Sequence, residues 1–133
     1  MSKTKILMLL LIGFTISACD KDKTHSSLLG SWKCDEYPEI SLPSTFQVNI
    51  VRNSALSSDS SQYVIYNFNN LGFDEEHAVY IKQESTDEVL ITGTNIIGIS
   101  IVGSGTIAAD YSSIEWEYTV NKEFKEDIRA TYY

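Results

Sequence analysis

Few side chains in this chain have the types and spacing that catalysis uses. Cys34 is a candidate nucleophile, but strand alternation places it on the same face as Trp32, and a thiol buried among apolar side chains is inert. His77 follows Asp74-Glu75-Glu76, an oxygen-rich run that would either hold a cation or stand as a solvated acidic loop. The other histidine, His25, lies in a polar stretch near the N-terminus. Glu115 and Glu117 lie two apart on one strand face, at about 6.6 Å, inside the range of a glycosidase pair. Outward strand positions are polar for simpler reasons, so that spacing alone defines no cleft. Gly103-Ser104-Gly105 lacks the lysine and the following helix of a phosphate loop. No nucleophile, base and orienting group come together. The expectation is a non-enzymatic protein with no catalytic residue, no metal and no cofactor.

The N-terminus carries the most specific signal. Met1 to Lys5 is a short cationic start, Ile6 to Ile16 is almost wholly apolar, and the small residues Ser17 and Ala18 follow. This is the order of a secretory signal. An eleven-residue helix rises only about half the depth of the hydrocarbon core, too little to span it. Ile16-Ser17-Ala18-Cys19 resembles the bacterial lipobox, which implies cleavage before Cys19, acylation of its sulfur and a membrane anchor of effectively permanent strength. The expected division is a lipoprotein signal peptide at 1–18, a polar tether at 19–27 and a folded domain at 28–133. Charged residues directly after such a cysteine are similar to signals that sort lipoproteins to the outer membrane of Gram-negative bacteria, with exposure at the cell surface as one outcome and a plain linker as the other. A second cysteine in an exported chain suggests a disulfide; acylation of Cys19 removes that partner and leaves Cys34 as a single buried thiol.

The full chain has 133 residues, 18 acidic against 10 basic side chains, a net charge of −8 and 43% hydrophobic residues. These suit one compact domain, and the negative charge excludes nucleic acid as a partner. Eight segments alternate with period two, the pattern of an antiparallel barrel or sandwich. Trp32 and Cys34 face inward in the first; Pro38 and Pro43 bracket the loop that follows. The second is Thr45 to Arg52 with Phe46, Val48 and Ile50 inward, before an exposed serine-rich turn from Ser54 to Ser61. The third is Tyr63 to Phe68, the fourth His77 to Gln83 and the fifth Glu88 to Thr92. The sixth runs from Ile97 to Ile107 with Gly103 and Gly105 leaving gaps in its apolar face, which a large neighbouring side chain could fill. The seventh turns Ile114, Trp116, Tyr118 and Val120 inward, and the eighth, Glu126 to Tyr133, does so with Ile128, Ala130 and Tyr132. A meander this long tends to close into a barrel and so remove its edges; a two-sheet sandwich is the alternative.

Leu29-Gly30-Ser31-Trp32 resembles the Gly-X-Trp signature of the calycin superfamily, which includes the lipocalins. That resemblance implies an eight-stranded antiparallel up-and-down barrel closed at one end by Trp32, packed against an arginine of the last strand, for which Arg129 stands. Alternation, however, turns Arg129 outward. Ile65 to Gly72, Gly103 to Ile107, Trp116 to Val120 and Ala130 to Tyr132 are similar to segments of small lipocalin-like envelope lipoproteins, which imply location and fold but no assigned activity. Phe46, Phe68, Trp116 and Tyr118 would then either line a cavity for a small lipophilic ligand or form a packed core. The alternatives are an inhibitor of a lysozyme or protease, for which the acidic loop would suit a basic enzyme, and an interaction protein with no small-molecule ligand.

Overall fold

A strand with one apolar face must bury it, and eight in succession can do so by closing on themselves. The structure, a computed structural model describing residues 25–54 and 59–133, shows this. Its strands are β1 (Gly30–Pro38), β2 (Ser44–Arg52), β3 (Gln62–Tyr66), β4 (Val79–Gln83), β5 (Glu88–Thr94), β6 (Ser100–Ile107), β7 (Ile114–Asn121) and β8 (Lys125–Tyr132). Each pairs antiparallel with its neighbour in chain order, and β1 also pairs with β8, Cys34 opposite Tyr132 and Glu36 opposite Ala130. The result is a closed, all-β, up-and-down barrel, and that closure excludes the two-sheet sandwich. The expected signal peptide, Cys19, the expected tether up to residue 24 and the middle of the serine-rich turn lie outside the described residues.

Two glycine–aromatic pairings set how the interior fills. Trp116 on β7 is flanked across the sheet by Gly105 on β6 and Ala130 on β8, and Tyr118 by Gly103 and Ile128. A methyl group on Gly105 would stand 3.0 Å from the Trp116 ring, so the indole occupies the space the glycine leaves. Alternating small and large inward residues in this way lets a narrow barrel pack without a void. Trp32, Phe68, Trp116 and Tyr132 are its largest fully buried side chains.

Four strand boundaries differ from the alternation by two residues or more. β3 stops at Tyr66, because Asn67, Asn69 and Asn70 take left-handed backbone angles (φ 63°, 54° and 56°), which asparagine tolerates better than other side chains. Asn67 holds this turn in place: its side chain donates to the Gln47 carbonyl at 2.7 Å and accepts from the Gly72 N–H at 3.0 Å. β4 begins two residues later than expected because Glu75–His77 form a 3-10 turn. β5 runs two residues further, to Thr94, past an irregularity in its pairing beside Tyr80 and Ile81. β6 begins at Ser100, since Gly98 (φ 79°) turns the chain and leaves Ile97 almost wholly in solvent.

Up-and-down topology gives the barrel two distinct ends. The N-terminal end carries Leu28, Trp32 and the turns before β4's partner β5 and between β6 and β7. The opposite end, the rim, carries the β1–β2, β3–β4, β5–β6 and β7–β8 connections.

Candidate functional site

The four residues expected to face a ligand make contact with one another or with the core. Phe68 is wholly buried, edge-on to Trp116 at 6.0 Å between ring centroids and tilted against Tyr118 at 4.6 Å; Trp116 meets Tyr132 at 5.5 Å. Phe46 is half-buried and packs against the same cluster. Among the described residues, four of the more pronounced clefts are lined by neither Phe46, Phe68 nor Trp116; Tyr118 borders one of them, a surface groove of about 690 Å³. Phe68 reaches the interior only because the asparagine turn after β3 folds back over the barrel, a placement that strand alternation alone does not give.

The expected barrel closure is half corrected. Trp32 is buried at the N-terminal end, its indole N–H donating to the Leu28 carbonyl at 2.9 Å. Arg129 is not its partner: the β1–β8 register sets Arg129 beside Tyr37, and on its other side beside Glu117. Tyr37 is five residues from Trp32 along β1, about 16 Å at strand rise, and Arg129 points outward as its parity requires. The ring on Trp32 is His25, stacked at 3.6 Å between centroids and 7° between planes, with Nε2 donating to the Ser31 carbonyl at 2.9 Å. His25 was expected in the tether; the structure lays it against the barrel end. Nothing in its local sequence announces this, since the contact depends on Trp32 seven residues on.

The remaining chemistry candidates are spread out. Glu115 accepts from the Thr131 hydroxyl at 2.8 Å on the outer face, while Glu117 lies in a different row opposite Arg129. His77 pairs with Asp74 within its own turn, and Glu75 accepts from the Tyr66 hydroxyl at 2.7 Å. Cys34 is a free buried thiol, pushed well above its ordinary pKa by burial and then by the charges of Glu36 and Asp35.

Glu36 is the residue that the sequence reading missed. It shares the inward parity of Trp32 and Cys34, so period-two counting extended by one step would have found it. Its side chain is 3% exposed, accepts a short hydrogen bond from the Tyr118 hydroxyl, and accepts another from Asn69 Nδ2 at 2.5 Å. Burial raises its pKa, the two hydrogen bonds oppose the rise, and Glu126 adds to it. Tyr118 is pushed up by burial and then by Glu36, and therefore stays a donor.

A carboxyl whose folded pKa exceeds its unfolded value of 4.5 contributes its full stability below that pH, and the contribution is lost as pH rises through the folded value. Glu36→Gln keeps an acceptor for Tyr118 without a charge. Urea unfolding midpoints should therefore coincide near pH 4, and the variant should become the more stable protein as pH climbs to 8. Parallel profiles across that range would contradict the buried-acid assignment.

Glu126, also inward on β8 and 5% exposed, shapes the rim. Its carboxylate accepts from the Ser41 N–H at 2.6 Å, the Ile40 N–H at 3.0 Å and the Ser41 hydroxyl at 3.0 Å. These bonds, the Ser41 N–H first, hold its pKa low. The β1–β2 loop is thus pinned to β8 with Ile40 and Leu42 turned out to solvent. On the other side of the rim, Asn95 ties the β5–β6 loop to the acidic turn by donating to the Glu75 carbonyl at 3.0 Å.

Fold and site together define a small closed antiparallel barrel with an interior of its own aromatic side chains and two buried carboxyls, Glu36 beneath Tyr118 and Glu126 at the rim. The chain matches no protein-family model and no curated protein.

Proposed function

We propose that this chain is a lipid-anchored cell-envelope protein, held in the outer membrane through Cys19, and works as a non-enzymatic binding or accessory module of the calycin-like kind. The observation that supports a binding role on the outside of the barrel is the ring-on-ring packing of Phe68, Trp116, Tyr118 and Tyr132, which uses the interior as core. The lipobox Ile16-Ser17-Ala18-Cys19 supports the anchor. Five residues separate Cys19 from His25, a reach of at most about 22 Å over six residue steps, which would hold the N-terminal end of the barrel close to the bilayer.

Feeding cells an alkyne-tagged palmitate should label the full chain and send it to the membrane fraction. Cys19→Ser should lose both the label and the cleavage. Labelling that persists in the variant, or a wild-type chain with no label, would remove the anchor from this reading.

A further inference from the structure

Large apolar side chains left in solvent are not scattered evenly over this barrel. Ile40, Leu42, Phe73, Ile97 and Phe124 all stand on rim loops, with Leu42 86% and Ile97 96% exposed. Among the described residues, two further exposed apolar side chains, Tyr37 and Val102, sit at the rim ends of β1 and β6, and only Tyr133 lies toward the other end. Single exposed apolar residues need no explanation, whereas a group gathered at one end of a molecule marks a contact surface. The loops that carry them are held: Glu126 pins Ile40 and Ser41, and Asn95 bridges the β5–β6 and β3–β4 connections. Pinned loops present these side chains at little further entropic cost on binding.

Charge selects among occupants. The rim loops carry five exposed carboxylates, Glu39, Asp74, Glu75, Glu76 and Glu123, against Lys122 and Lys125. A bilayer with anionic lipid would be repelled, and a second copy would bring a like-charged rim to this one. A protein face with lysines and arginines around apolar side chains complements both features.

We propose that the rim is the docking surface for a cationic protein partner. The idea rests on the anchored-module reading for its direction, since a barrel held at its N-terminal end presents the rim away from the bilayer.

The test places a benzophenone amino acid in the full-length chain at Leu42 or Ile97 on the rim, and at Ser85 or Ala109 on the opposite end, followed by irradiation in intact cells. The expected result is one protein adduct from the rim positions alone, identified by mass spectrometry as a chain of net positive charge. Once purified, that protein should bind the full-length chain about tenfold more weakly when Leu42→Asp and Phe124→Asp are combined, and about tenfold more weakly at 0.5 M than at 0.1 M salt. Both substitutions sit on exposed side chains, and an unchanged unfolding midpoint confirms that the fold survives. Adducts to lipid, to a second copy, to an acidic protein or equally from both ends would overturn the proposal, as would no rim adduct. Failure of palmitate labelling with rim adducts intact removes only the anchor; labelling with no rim adduct removes only the docking surface.

Discussion

Gly103→Ala should destabilise the barrel by about 3 kcal/mol or more, at the upper end of what overpacking costs. The added methyl would stand 2.3 Å from the Glu117 carbonyl oxygen and 2.5 Å from Tyr118 Cα, both backbone atoms of the paired strand. No rotamer change relieves such a contact; β6 and β7 would have to part where Gly103 faces Tyr118, and that strand pair lies in the middle of a closed sheet. With a total stability of about 5–15 kcal/mol for a domain this size, and about 4–8 °C of melting temperature per kcal/mol, the loss should read as a fall of roughly 12 °C or more. Gly93→Ala is the matched control: it is also in a strand, and nothing lies within 4 Å of the methyl it would gain. That variant should stay within about 1 kcal/mol of the parent. Equal midpoints for the two in urea would mean that β6 and β7 do not approach as described.

Trp116→Ala should cost about 3–5 kcal/mol, the usual range for truncating a buried aromatic. The indole is 1% exposed and fills the space beside Gly105 and Ala130, touching Phe68 and Tyr132. Removing it leaves an apolar cavity walled by these rings, and such cavities take up small aromatic molecules. Indole at millimolar concentration should therefore raise the melting temperature of Trp116→Ala and leave that of the parent unchanged. A parent protein stabilised by indole to the same degree would show open space in the interior and argue for a ligand carrier. Trp116→Phe adds a finer reading. The indole N–H is buried without a partner, so its removal offsets part of the lost packing, and the cost should be well below that of alanine.

Much of the barrel was legible because strand alternation is a local property. Trp32 and Cys34, Val48 and Ile50, Trp116 and Tyr118, and Ile128 and Ala130 face inward as their parity requires. The gaps at Gly103 and Gly105 announced large neighbours, and Tyr118 and Trp116 are those neighbours. Less was legible where backbone angles interrupt the pattern. The left-handed asparagines after Tyr66 converted the end of an expected strand into a turn, and that turn drives Phe68 inside and sets Asn69 over Glu36. An asparagine run signals a turn, but its handedness does not say where the next side chain will go.

The candidate site was legible only in its parts. The acidic turn, the exposed Ile97 and the loop between the prolines are all visible as residues, yet their gathering at one rim depends on the number of strands and on closure. Arg129 shows the limit most plainly. Its outward parity follows from its neighbours, while its distance from Trp32 follows from which residue of β1 meets which residue of β8. The sequence by itself determined the class of the fold, the inward faces and the acidic surface, because these depend on side chains two positions apart. The tertiary structure alone decided the register of β1 on β8, the His25 cap, the meeting of Glu36 with Tyr118 across 82 positions and the shared rim. Those depend on pairings between distant segments, whose energies are summed over the whole closed sheet and written in no single stretch of it.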